Sequence, residues 1–342
     1  MWMLENETAF AADRNWVLDK DGAKSWVVAV KATFDLHPDG STEPSPQQQE
    51  PLLAPEFRGE PADSSLIYEA DLIYGKQRTD VLINGHAYAR NGEPVSQLLV
   101  TLKIGSLEKT LQVTGDRMWE RGILGPSLGP PQPFAKMAIT YERAFGGYDK
   151  RPENPMDHRL EPRNPVGTGF TVRREHLVGQ RAPNVELVGD SSVPAGFGAI
   201  ASFWEPRLKY AGTYDDDWLR SRMPLLPQDF DERYFQCAPE DQQAAGFLRG
   251  GEAVELTNLT PSGRLAFALP RLYPAFATRF GREVVEHDGV LHTVVIEPDF
   301  ARVILVYQTR LPCHHRVDQL DVTIVREKRT ESLAATVLRG RR

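Results

Sequence analysis

Carboxylates set among glycines and prolines are the first residues in this chain that could do chemistry. Glu142, Glu153, Asp157 and Asp215 are of this kind. Two such groups about 5–10 Å apart across a cleft would supply the acid and the base or nucleophile of glycoside hydrolysis. They define one reading, a hydrolase acting on carbohydrate or peptide. The most metal-like run is Cys313-His314-His315. Cys and His are good zinc ligands. Adjacent side chains of an extended segment point to opposite faces, however, and no other cysteine is near in sequence, so a structural role is favoured. Asp215-Asp216-Asp217 lacks the glycine and ligand spacing of a calcium loop and reads as the start of a helix. Gly196 and Gly198 form a G-x-G without the third glycine of a dinucleotide site, and read as a turn. There is no phosphate-loop G-x-x-x-x-G-K-[ST] and no H-E-x-x-H. No catalytic residue, metal ligand or cofactor is assigned.

Glu142-Arg143 carries more information. An arginine flanked by aromatics and glycines can stack and can bond a carboxylate bidentately. Arg143 either pins its loop to the body, through backbone carbonyls or an acid such as Asp116, or meets a partner directly.

The element that must position these residues runs from Tyr141 to Phe170, YERAFGGYDKRPENPMDHRLEPRNPVGTGF. Its glycines and prolines exclude a long helix and a central strand. Its aromatics argue against disorder, and a long ordered connection is a common place for function. Tyr141, Arg143, Phe145, Gly146, Gly147, Asn164, Gly167, Gly169, Trp204 and Trp218 are the candidate partner-binding residues. The tryptophans are included because Trp is enriched at binding hot spots.

On either side the chain reads as strands. Ser25–Phe34 is rich in β-branched and aromatic residues, with Lys31 suggesting one open face. Residues 41–62 read as a proline-rich surface connector. Leu66–Tyr74 reads as a strand, followed by a turn at Gly75-Lys76-Gln77-Arg78. Val95–Ile104 and Leu107–Val113 form a hairpin about Gly105-Ser106. Residues 122–133 read as a Gly/Pro-rich loop. Short helices are expected at Asp215–Arg222 and Pro239–Leu248. Asp288-Gly289 predicts a hairpin between Glu283–His287 and Val290–Ile296. Ala301–Thr309 is a strand, 316–326 fits strand or helix, and 336–342 reads as a frayed tail. The expected class is mainly β: an antiparallel sandwich or barrel-like sheets with long ordered loops and a few short helices. The regions are 1–140 and 251–342, both β-rich, and 141–250, irregular with short helices. One continuous domain is the alternative.

Composition narrows the function. A net charge of −7 argues against nucleic-acid binding by bulk charge. Two cysteines far apart in sequence make no disulfide framework, and a reducing cytoplasm is expected. MWMLENETAF lacks the basic and apolar regions of a secretory signal. No stretch approaches the roughly 18 apolar residues of a membrane helix, so no membrane partner is expected.

Several segments come in an order that carries a resemblance: KATF (31–34), GDRMW (115–119), YERAFGG (141–147), NPVGTGF (164–170), PN-x-E (183–186), AGTYDDDW (211–218), FQCAPEDQQ (235–243) and GGE (250–252). Together they resemble a bacterial family first catalogued as a domain of unknown function, over roughly 1–310. The resemblance implies an adaptor or chaperone of type VI secretion. Such a protein binds a secreted effector and helps load it onto a VgrG or PAAR spike, and is not an enzyme. It also suggests that YERAFGG and NPVGTGF shape the characteristic surface. The hydrolase and a structural component of the secreted particle are the alternatives.

Overall fold

A near-continuous apolar run predicts a strand covered on both faces, and KSWVVAVKATFDL forms one. In a computed structural model that describes residues 2–328, Lys24–Leu36 is a 13-residue strand, buried over almost its whole length. It lies inside a six-stranded sheet. Ala11–Leu18 and Arg302–Pro312 flank it antiparallel, Val290–Glu297 follows, and Asp80–Ile83 joins parallel at the edge. Thr42–Pro44 adds a short sixth strand.

Lys31 does not open a face. It is buried, and its ammonium meets the Asp71 carboxylate at 2.8 Å. Asp71 lies in what reads as the Leu66–Tyr74 strand, of which only Leu66–Tyr68 is extended in a sheet. A buried ammonium requires a partner, and the chain leaves strand geometry where it turns the carboxylate inward.

The second sheet has five strands, in the order Val185–Leu187, Leu107–Thr114, Gln97–Ile104, Ala253–Thr257, Arg264–Ala268. Its central pair is the hairpin expected about Gly105-Ser106, with Ile104 opposite Leu107. The third sheet joins Met3–Asn6, parallel to Leu320–Glu327, with Pro274–Phe280 and Glu283–Asp288. The fold is mainly β with several antiparallel sheets, and no sheet closes into a barrel. One apolar core joins them, with Trp26, Phe34, Leu102, Phe197, Leu256 and Phe276 among its buried side chains.

The Asp288-Gly289 hairpin does not form. Glu283–Asp288 pairs with Pro274–Phe280, whereas Val290–Glu297 pairs in the six-stranded sheet. The dipeptide is a crossover between sheets. Gly289 is needed because a Cβ there would stand 2.7 Å from the Phe276 ring. Residues 316–326 contain both alternatives, a 3-10 turn over His314–Gln319 and then the strand Leu320–Glu327. Pro239–Leu248 holds only a 3-10 turn, Glu240–Gln242. Residues 122–133 are not all loop, since Trp119–Gly122 and Gly125–Leu128 form a hairpin. The tail 336–342 lies outside the described residues.

His287 bridges this crossover. Its ring bonds the Thr278 and Thr309 hydroxyls and stacks on Phe276. Burial pushes its pKa down to about 4. The neutral ring belongs to the folded state. Its stabilisation is complete above the unfolded value of about 6.5 and is lost as pH falls through that value toward 4. The urea midpoint is expected to drop between about pH 7 and pH 4.5, and to drop less in His287→Asn. An identical drop in the variant would show that other groups, such as the buried His292, carry the whole effect.

Candidate functional site

The segment Tyr141–Phe170 is ordered by its own short-range chemistry. Tyr141–Arg143 makes a 3-10 turn, and Phe145–Gly146 then pairs parallel with Thr168–Gly169. Asn164 is the hub. Its side-chain amide donates to the Tyr141 and Phe145 carbonyls at 2.8 and 2.9 Å, and its own carbonyl accepts from Gly147 at 2.9 Å. Gly146 has φ +148° and a Cβ there would stand 2.2 Å from the Asn164 carbonyl oxygen, so only glycine fits. The pattern G-G with N-P-x-G is thus the local cause of the fold.

The module is then tied to the second sheet. Arg143 donates to Asp116 at 3.0 Å and to the Asn184 side chain at 3.1 Å. Asn184 in turn donates to the Thr114 carbonyl at 3.0 Å and to Asp116 at 3.1 Å. Alongside, Arg117 donates from one nitrogen to both oxygens of Glu186 at 2.9 Å. Arg143 therefore pins its loop through Asp116. GDRMW, YERAFGG and PN-x-E, far apart in sequence, meet in one polar network.

The other candidates divide by position. Tyr141, Gly146, Gly147, Asn164 and Trp204 are buried. Arg143, Phe145, Gly167, Gly169 and Trp218 are partly exposed. Trp204 packs edge-on against Tyr141, with centroids 5.7 Å apart. Trp218 stacks edge-on with Tyr214 and donates to the Leu225 carbonyl at 2.8 Å. The expected helix is present as Asp216–Ser221, capped by Asp215, whose carboxylate accepts from Trp218 N–H at 2.9 Å.

Two clamps escape a reading of the sequence. Arg207 is buried and donates to the Ile200 carbonyl at 2.6 Å, the Tyr234 carbonyl at 3.0 Å and the Glu69 carboxylate. Arg222 donates to the Lys20 and Leu226 carbonyls at 2.7 and 2.9 Å and to Asp21 at 3.1 Å. Little local marks them, because Glu69, Tyr234, Lys20 and Asp21 come from distant segments. In Arg207 the one hint is a cation placed directly after Phe-Trp-Glu-Pro.

Beside Tyr141 lies a cleft of about 370 Å³ walled by Pro194, Pro206 and Pro239 and edged by Lys109, Arg163 and Lys209. Burial pushes the Lys109 ammonium down, against the opposing pull of Asp241, which it meets at 2.9 Å. The four loop carboxylates do different things. Glu142 accepts from the Ser65 amide at 2.7 Å and hydroxyl at 3.0 Å. Burial raises its pKa, but these bonds outweigh burial and leave it lowered. Asp215 caps its helix, and Glu153 and Asp157 are exposed.

Gly125-Pro126-Ser127-Leu128-Gly129 matches G-x-S-x-G by letter. A hydrolase nucleophile of that pattern sits on a sharp strand-to-helix turn. Here Ser127 is an exposed residue of a hairpin strand, opposite Glu120. Cys313 is buried, and its thiol faces the Leu311 carbonyl at 3.3 Å. Among the described residues no group of three or more His, Cys, Asp or Glu converges on a metal position. No helix among them is long and apolar enough to cross a membrane.

These features define a β-scaffold protein whose strands Leu107–Thr114 and Ala253–Thr257 bracket a long irregular module held by buried polar hubs. The chain belongs to a bacterial family described as "Uncharacterized protein conserved in bacteria (DUF2169)", whose model matches residues 21–308. The match spans the whole module and most of the six-stranded sheet. No curated protein and no solved structure matches the chain.

Proposed function

We propose that this chain is a cytoplasmic adaptor that binds a secreted effector and helps load it onto a VgrG or PAAR spike of a type VI secretion system. The observation that carries the reading is the surface of the module. Met156, Phe203, Leu208, Tyr214, Leu219 and Met223 are exposed there, on backbone fixed by Asn164, Arg207 and Arg222. Apolar side chains left exposed on an ordered segment are available to a protein contact. Holding them rigid lowers the entropy that binding must overcome. A stable contact buries about 1,600 Å², which a module of this length can supply. The segments that resemble secretion adaptors support the partner class, and YERAFGG, NPVGTGF, AGTYDDDW and FQCAPEDQQ among them lie in the module. Two buried free cysteines suit a reducing compartment.

The test is co-expression of the chain with the product of each gene adjacent to its own, followed by size-exclusion chromatography with light scattering. A defined complex with an effector or spike protein is expected. Separate elution beside every neighbour sinks the adaptor reading. Appearance of the chain in the secreted fraction would make it a component of the particle instead.

A further inference from the structure

The hairpin of Trp119–Gly122 and Gly125–Leu128 closes with Gly122 opposite Gly125, so Ile123 and Leu124 alone form its turn. They are exposed at 102% and 100%. Two-residue hairpin turns ordinarily carry Gly, Asn or Asp, which tolerate the turn and suit water. A β-branched residue followed by leucine is an unfavourable choice on both counts, and nothing among the described residues covers either side chain.

The tip is held firmly away from the body. At its base the Trp119 amide donates to the Gln180 carbonyl at 2.8 Å, Gly179 donates to the Trp119 carbonyl at 2.8 Å, and Gly129 donates to the Met118 carbonyl at 2.8 Å. Met118 also bridges to Arg181. The 3-10 turn Arg174–Leu177 packs on the Gly125–Leu128 strand. This arrangement surrounds the tip's base with Arg121, Arg173, Arg174 and Arg181, all exposed. None of the four forms an ion pair among the described residues, although neighbouring Arg117 and Arg143 do. In a chain of net charge −7, these four unpaired arginines outnumber the exposed acids next to them in sequence, Glu120 and Glu175, and make the rim locally basic.

We propose that this hairpin is a docking element: Ile123 and Leu124 enter an apolar pocket of a partner protein, and the four arginines meet carboxylates on that pocket's rim. The choice of a protein follows from the cations. Residues 116–135 and 171–182 contain arginine but no lysine. The planar guanidinium pairs carboxylates in a fixed bidentate geometry, whereas attraction to an anionic membrane is served equally by lysine. The assignment rests on the adaptor reading, which supplies the partner class of an effector or a spike protein.

The experiment uses the full chain and the Ile123→Asp/Leu124→Asp variant, titrated calorimetrically against each neighbouring effector and spike protein. Because these side chains are fully exposed among the described residues, the variant is expected to keep its thermal midpoint. Its affinity for one of the partners falls at least about tenfold, as for a hot spot. Arg121→Glu/Arg174→Glu is expected to weaken the same complex and to flatten its salt dependence. A wild-type complex that both variants preserve overturns this assignment and leaves the adaptor reading intact. No wild-type complex with any neighbour overturns both. Binding of wild type, but not the variants, to phosphatidylserine vesicles, with protein complexes unchanged, makes the hairpin a membrane contact and overturns the proposal.

Discussion

Asp80→Ala is expected to cost about 3–5 kcal/mol, the effect of leaving one member of a buried ion pair without the other. That is a large share of the roughly 5–15 kcal/mol that holds a typical domain. Asp80 is fully buried at the edge of the six-stranded sheet. One oxygen accepts from the Lys76 ammonium at 2.6 Å and from the Cys237 amide at 2.8 Å, and the other from the Gln236 side chain at 2.7 Å. Lys76 also donates to the Thr293 hydroxyl at 2.8 Å and faces the Cys237 sulfur at 3.3 Å. Burial pushes the Lys76 pKa down, but Asp80 outweighs burial and holds it above the ordinary lysine value. Burial pushes the Cys237 thiol up to about 12, so the sulfur stays protonated and cannot replace the lost carboxylate. Urea unfolding of Asp80→Ala measures the loss. The mechanism makes a second demand: Lys76→Met in the same background recovers part of it by removing the orphaned charge. Asp80→Ala within about 1 kcal/mol of wild type, or no recovery in the double variant, sinks this account.

Trp204→Ala is the second large effect, again about 3–5 kcal/mol, from lost burial plus the cavity left behind. Trp204 is fully buried. Its backbone carbonyl accepts from Leu208 at 3.0 Å, and the next residue, Glu205, donates to the Pro162 carbonyl at 3.0 Å. It therefore joins the Tyr141–Phe170 segment to the Phe203–Arg207 turn. Its indole N–H meets no acceptor among the described residues. Trp204→Phe keeps most of the ring and removes that orphaned donor, so it is expected to cost markedly less. Hydrogen exchange gives the sharper reading. In Trp204→Ala the amides of Gly147 and Phe170 lose protection while those of Leu102 and Leu111 in the second sheet keep theirs. Equal loss in both places would mean that Trp204 supports the whole core and not the module.

Much of this architecture is legible from local chemistry. The strand at Ser25–Phe34, the Gly105 turn and the helix start at Asp215 are readable because backbone geometry and short-range bonds dictate them within a few residues. The Arg143–Asp116 contact is readable as one of two alternatives, because an arginine among glycines and aromatics needs an acid or a partner. The pairing of Phe145–Gly146 with Thr168–Gly169 sits where the glycines required it.

What local chemistry could not decide is where each piece docks. Asp288-Gly289 has the composition of a hairpin, yet the two strands beside it enter different sheets, since pairing is chosen by packing of both faces. Lys31, Lys76 and Lys109 look like solvated charges in sequence. Each is buried among polar partners, and apart from the Asp80 that pairs with Lys76 four residues on, these come from elsewhere: Asp71, Thr293 and Gln242. The strand about Ser25–Phe34, the Gly105 turn and the glycine-built loop follow from local sequence, because period and dihedral preference act over a few residues. Which charges are buried, where strands such as Leu66–Tyr68 end and which side chains stay exposed follow only from the folded chain, because burial depends on what distant segments bring to a site.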